Sequence, residues 1–486
     1  MTAVGLDADQ MNRNPPEFST ADQGTPTQSR TPLRKWMAQL GSSNLRGQPK
    51  AVYLVSVVEC WERFSYYGLV ALLVLFLTGS PVEGALGWHR DEALQVYGIF
   101  AGLAFTFPAV GGWLGDRVIG HRAGALAGGV AILLGNLSLF ALTWPFFAPV
   151  ARALLFAGLG AIAVGTGLLK PAVATLVGRI YDGRPDLPRS TGYTVFLMGI
   201  YLGGLMGTLI AGALGEMLGF RWGFLTSALG MGTGLIIFAT LAQQHLGEVG
   251  ARPVRRPASE RDSKRAMPGA ITAISLMTLF SAVYTTAYMQ KAGVLMLMVT
   301  SSTDRTIGNF TVPASAFLAL SQVGFLIFAP IVEMCLAWLA RRGFHLDLFI
   351  RQVCALLALA IGYVFFLTAA SVSAHAPSGL HSAGWIVAGY LCFAIGEILI
   401  WPSLLSTISH LSPPRLTGLV MGLWYVGMGL GSYLAGFLGA YADNLGLVDY
   451  LGLVLSGLIA AAALLFVIRA RSPALTAAVN PRAATA

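Results

Sequence analysis

From residue 51 onward the chain is a succession of long apolar runs separated by short polar breaks. Twelve runs are long enough to cross ~30 Å of hydrocarbon as helices. They lie near residues 51–78, 92–115, 122–145, 149–181, 190–216, 221–243, 267–299, 312–340, 347–372, 383–410, 416–442 and 447–470. They do not alternate at a period of two, which excludes membrane strands. Residues 1–50 hold no apolar run and mix Pro, Ser, Thr and Gln with charges, the pattern of a solvated tail. Apolar character begins far too late for a secretory signal peptide. The longest internal polar stretch, 244–266, divides the runs six and six. The pattern predicts an all-α membrane protein with a tail at 1–50, a six-helix bundle at 51–243, a linker at 244–266, a second six-helix bundle at 267–470 and a tail at 471–486. Two such halves are the organisation of a transporter whose repeats are related by an axis along the membrane normal.

Composition strengthens the membrane reading. Asp, Glu, Lys and Arg make up 11% of the chain, hydrophobic residues 55%, and the mean hydropathy is +0.68. Soluble domains carry about 25% charged residues, and a soluble core cannot absorb this much apolar surface. Cys60, Cys335, Cys354 and Cys392 all lie in apolar stretches without CxxC spacing, so they read as small buried hydrophobes. The net charge of +9 invites a nucleic-acid partner, but topology accounts for it. With the N-terminus cytoplasmic, most basic residues fall inside, among them Arg34, Lys35, Arg117, Arg122, Arg179, Arg255, Arg256, Arg341, Arg342 and Arg469. Only Arg90, Arg152, Arg221 and Arg305 fall outside. No nucleic-acid partner is expected, both termini are placed in the cytoplasm, and the surrounding partner is membrane lipid.

The charges inside the spans then carry the chemistry. They are Glu59, Glu62, Arg63, Lys170, Lys291, Glu333 and Glu397. Each costs about 2.5–3.5 kcal/mol at the centre of a bilayer, so each should face the bundle interior or water. Glu59, Glu62, Arg63 and Tyr66 share one helical face by their spacing. Two close carboxylates beside a guanidinium titrate as one coupled group, which suits a proton-loading unit; the alternative is a structural ion pair locking helices. Lys170, from the fourth span, is a candidate to complete the site. Lys291 and Glu333 lie nearer the ends of their spans and are expected to snorkel toward water. No GxxxxGK[ST] motif is present, so ATP-driven transport is not expected. No metal-ligand cluster is visible either, and the expected coupling species is the proton, without a cofactor.

Residues Glu59-Cys60-Trp61-Glu62-Arg63-Phe64-Ser65-Tyr66-Tyr67 resemble the first-helix signature of the proton-dependent oligopeptide transporters, a family of the major facilitator superfamily. Gly111-Gly112-Trp113-Leu114-Gly115-Asp116-Arg117 is similar to the superfamily loop between the second and third helices. Gly167-Leu168-Leu169-Lys170-Pro171 resembles the fourth-helix lysine motif, Gly396-Glu397 with Pro402 the tenth-helix motif, and Gly422-Leu423-Trp424 the eleventh helix. The resemblance spans about residues 50–470. It implies a twelve-helix major facilitator fold and a proton-coupled symporter importing di- and tripeptides by alternating access. By the same resemblance, Glu59 and Glu62 take up the proton and Lys170 exchanges salt bridges with them. Arg63 and Lys170 draw the peptide carboxylate, and Glu397 draws its amino group. Tyr66 and Tyr67 line the cavity with Trp424 nearby, while Asp116 and Arg117 brace the helices at the cytoplasmic gate. The expected setting is the bacterial inner membrane, with the protein as a monomer.

Several family positions are replaced. The fifth-helix Asn falls on Tyr201, the eighth-helix Asn-Pro on Ser321-Gln322, the second-helix Tyr on Phe105, the seventh-helix acid on Met289, and the His of mammalian members on Gly98. Residues 244–266 cannot hold the two extra helices that many bacterial members insert there. The substituted amide positions leave room for a relative that moves another small solute, such as an amino-acid derivative, nitrate or a secondary metabolite.

Overall fold

Eleven uninterrupted helices among the described residues are long and apolar enough to cross a membrane. The structure, a computed structural model, describes residues 47–182, 189–253, 270–344, 346–411 and 417–472. Most of the two tails, and linker residues 254–269 with Arg255 and Arg256, lie outside them, as do Arg34 and Lys35.

The first half begins with the first span, Lys50–Thr78, and the second, Arg90–Leu114, which runs on through a π-helical turn to Ile119. The third is His121–Leu142 and the fourth Ala151–Ile180. The fifth runs from Arg189–Met206 through a π-helical turn at Gly207–Ala211 into Gly212–Leu218, and the sixth is Phe220–Leu246. In the second half the eighth to twelfth spans are Ala314–Arg341, Leu348–His375, Ala383–Leu411, Thr417–Gly439 and Leu447–Arg471. Short strand pairs, such as Thr303–Asp304 beside His381–Ser382, tie loops together and leave the architecture all-α.

The seventh span departs from the expected continuous helix over 267–299. It is Ala270–Tyr288, a 3-10 turn at Met289–Ala292, then Val294–Ser302 after Gly293. A break inside a membrane is tolerated only where side chains re-satisfy the freed backbone, and here they do. Tyr97 donates its hydroxyl to the Met289 carbonyl at 3.1 Å, Tyr390 to that of Lys291 at 3.0 Å, and Tyr363 to that of Ala287 at 2.8 Å. Gln290, in the turn itself, donates Nε2 to the Ala435 carbonyl of the eleventh span at 2.8 Å.

Within the first half the first span packs against the fifth and sixth, and within the second the ninth packs against the tenth and twelfth. The fifth span reaches the first by lacking side chains: a Cβ at Gly203 would collide with the Cys60 carbonyl. The halves meet chiefly along the second and eleventh spans, and the fifth also touches the eighth. An even number of spans puts the start of the first and the end of the twelfth on one face, the terminal face. At the opposite face Glu216 caps the eighth span across the half-to-half boundary. Its carboxylate accepts from the Ala314 and Ser315 amides, each at 2.7 Å. Arg305 Nη1 lies 3.8 Å from the same carboxylate, and Arg90 lies 3.5 Å from Asp443.

Candidate functional site

The first span buries a charge cluster in its middle. Glu59 and Glu62 are 0% exposed and Arg63 is 4% exposed. Arg63 pairs with Glu62 through both Nε and Nη2, a two-point grip that fits a planar guanidinium to a carboxylate. Arg63 Nε also lies 3.4 Å from Glu59 Oε1, yet neither Glu59 oxygen accepts a hydrogen bond among the described residues. Thr166 of the fourth span donates to Glu62 Oε1 at 3.4 Å. The guanidinium carbon sits 4.9 Å from the centre of the Tyr66 ring, and Tyr66 meets Tyr67 edge-on at 5.5 Å.

Lys170 is placed differently from an ion-pair partner. Its ammonium lies 5.1 Å from the Phe105 ring centre and 5.5 Å from that of Tyr425 in the other half. No carboxylate stands within salt-bridge distance of it among the described residues. A cation over two ring faces is held by their quadrupoles, and it remains available for an incoming anion.

The second half builds its own cluster. Glu397, 8% exposed, accepts from the Tyr288 hydroxyl at 2.8 Å. Lys291 donates to the same Tyr288 oxygen, and also to Ser321 Oγ at 3.3 Å. Ser321 and Gln322 are buried beside this cluster, with the Ser321 hydroxyl 3.2 Å from Gln322 Oε1. The snorkelling expectation for Lys291 is corrected: it is 5% exposed and turned into the bundle, because the break in the seventh span re-aims it. Glu333, by contrast, is exposed on the eighth span. Trp424 is 3% exposed, packs on Trp401 and Tyr425 at 6.1 and 4.9 Å, and leaves its indole N–H unpaired among the described residues. Tyr201 stacks face to face on Phe325 across the halves at 3.8 Å, where the resemblance expects an amide. Asp116 Oδ1 lies 3.0 Å from buried His121 Nε2 and 3.4 Å from Arg179, contacts that stay within the first half. Arg117 lies over the Trp113 ring at 5.9 Å.

Tyr288, Tyr425, Thr166 and Phe325 were not singled out from sequence. Tyr288 carried a signal: it precedes Lys291 by three residues, one helical turn.

The sequence profile of the Major Facilitator Superfamily matches residues 62–436. The chain belongs to this superfamily. It is a multi-pass membrane transporter, and relatives match it over much of its length. A protein of Yersinia enterocolitica named peptide transporter YePEPT is 28% identical over 474 residues, covering 85% of this chain and 92% of the relative. A di-/tripeptide transporter of Lactococcus lactis is 34% identical over 220 residues, 45% of this chain and 42% of the relative. These names agree with the first-helix resemblance to the oligopeptide transporters. Among solved superfamily structures, a peptide transporter in complex with sulfate superposes with a TM-score of 0.79 at 24% identity, covering 89% of this chain and 96% of that one. A transporter in complex with 5-aminolevulinic acid superposes equally well, at 0.79 and 22% identity, covering 88% and 97%. At those identities the likeness is one of fold.

Proposed function

We propose that this chain is a proton-coupled symporter that imports di- and tripeptides by alternating access. The observation that carries the proposal is the placement of intramembrane charge in both halves, with the Glu397 carboxylate of the second bonded, among the described residues, only through Tyr288, which Lys291 also holds. Arg63 and Lys170 lie in the first half and Glu397 in the second. A zwitterionic peptide needs an anion-binding pole and a cation-binding pole on opposite walls. Lys170, with no carboxylate at salt-bridge distance among the described residues and set against rings of both halves, receives the peptide carboxylate. Glu397 receives the ammonium.

Proton coupling follows from the Glu59, Glu62 and Arg63 cluster. Arg63 is occupied by Glu62 while that carboxylate is ionised. A proton delivered to Glu62 or Glu59 weakens the grip and frees the guanidinium for substrate. Opening toward the other side lets water and the ionised carboxylate reclaim Arg63, which expels both passengers. The proton therefore competes with Arg63 for the Glu62 carboxylate, and the ionised carboxylate competes with substrate for Arg63. The terminal face, which carries Arg117, Arg122, Arg341 and Arg469, is assigned to the cytoplasm of a bacterial inner membrane, with a monomer as the working unit.

Proteoliposomes with an inward proton gradient test this reading. Labelled dialanine accumulates in the wild type. Glu62→Gln loses concentrative uptake by at least about tenfold while keeping exchange, since about 1.4 kcal/mol of lost coupling is a factor of ten. Absence of accumulation in the wild type, or its persistence in Glu62→Gln, overturns the proposal. The Tyr201–Phe325 stack favours one second reading, a small amino acid derivative that needs no amide contact at that position. Competition between dialanine and 5-aminolevulinic acid separates the two.

A further inference from the structure

Glu397 has one hydrogen-bond partner among the described residues, the hydroxyl of Tyr288. That hydroxyl is in turn held by the ammonium of Lys291. All three side chains are buried: Tyr288 is 4% exposed, Lys291 5% and Glu397 8%. The arrangement is not an accident of a long side chain reaching inward. The backbone is broken at Lys291, and the break is braced by hydroxyls from the second, ninth and tenth spans. Ser321 supplies a second contact to the ammonium. The lysine is therefore built in at a fixed place, one hydroxyl away from the carboxylate.

We propose that Lys291 is the resident counter-charge of Glu397, relayed through Tyr288, and that it makes the substrate's amino group dispensable. This rests on the peptide reading of the site above. A buried carboxylate with no cation is costly, and a lone Glu397 would demand an ammonium from every substrate. With Lys291 in place the charge of Glu397 is already balanced when the site is empty. An arriving ammonium gains less, because it must displace the Tyr288 hydroxyl and sits beside a like charge. The substrate class accordingly widens to peptides with a blocked or absent amino terminus.

Two measurements test the proposal. The first needs no substrate: thermal unfolding of Lys291→Met, Glu397→Gln and the double variant. A resident pair gives a double variant more stable than the sum of the two losses allows; strictly additive losses overturn the pairing. The second compares inhibition of uptake by dialanine and by N-acetyl-dialanine. The wild type discriminates weakly between them. Lys291→Met raises the preference for the free amine by about tenfold or more, the scale expected when a buried charge loses its partner. Tyr288→Phe keeps both charges and cuts only the relay, so it shifts the preference the same way even if Lys291→Met folds poorly. An unchanged preference in both variants, or equal weakening of both inhibitors, overturns the proposal. Coupled unfolding with neither peptide competing in the wild type leaves the pair standing and removes the peptide reading instead.

Discussion

A buried guanidinium gripped by one carboxylate and lying beside a second is stable only while its partners remain. Arg63 is in that position between Glu62 and Glu59. Replacing it by Ala strands two buried carboxylates, a change that costs about 3–5 kcal/mol. Arg63→Lys keeps the charge but loses the two-point grip, so its loss falls between wild type and Ala. Thermal unfolding of the purified protein measures both; an Arg63→Ala variant as stable as wild type would show the cluster to be dispensable. This cluster was legible in the sequence because it is local: acids at i and i+3 and a base at i+4 can only share a face. Lys291 was misread for the converse reason. Its depth was judged as if the seventh span rose a constant 1.5 Å per residue, whereas the chain breaks at that point. Ser321, which it touches, comes from the eighth span, and Glu397, which shares its Tyr288 hydroxyl, from the tenth, and no local spacing announces either. Tyr201 was flagged as a departure, but its partner Phe325 lies in the other half and could be named only from the packing.

The membrane-spanning helices were legible because hydropathy tracks length, which the bilayer fixes. The break in the seventh span was invisible to the same measure, since an apolar run reads alike whether its backbone is helical or not. Contact between spans was also hidden, and it decides which face of the transporter is shut. A Cβ at Gly98 on the second span would stand 2.7 Å from the Gly436 Cα and 2.9 Å from the Tyr433 carbonyl oxygen of the eleventh. These are backbone atoms and cannot swing aside. Gly98→Val therefore pries apart the packing that closes the face opposite the termini, at a cost of about 1–3 kcal/mol to the closed arrangement. Glu216→Gln works on the same closure from the fifth span. It weakens both amide-to-carboxylate bonds that cap the eighth span. Spin labels at Glu83 and Leu445, one from each half, read the result as a distance distribution. Both variants move population toward the longer distance, Gly98→Val more than Glu216→Gln. An unshifted distribution in both would mean that neither contact holds the face closed.

At the scale of the molecule, charge has a direction. Arg341, Arg342, Arg469 and Arg471 gather at the terminal face, while Arg90, Arg152, Arg221 and Arg305 are the arginines of the other among the described residues. If cytoplasmic retention of Lys and Arg sets the insertion, the terminal face is inside and the Glu216 closure is the outer door. That assignment decides which closure must open for Glu59 and Glu62 to meet the medium, while the direction of net transport is set by the proton gradient. A cleft of about 840 Å³ at the opposite face is lined by Thr300, Ser301, Glu83 and Asp443, and provides a reporter position. In a variant with the four native cysteines replaced, Ser301→Cys reacts with a membrane-impermeant maleimide on intact cells. Arg342→Cys reacts only after the cells are permeabilised. Acidifying the medium then raises dialanine uptake, and a protonophore collapses it. Labelling in the reverse order would make the Glu216 closure the inner door, and an inward proton gradient would still drive substrate inward, because a symporter carries both passengers the same way.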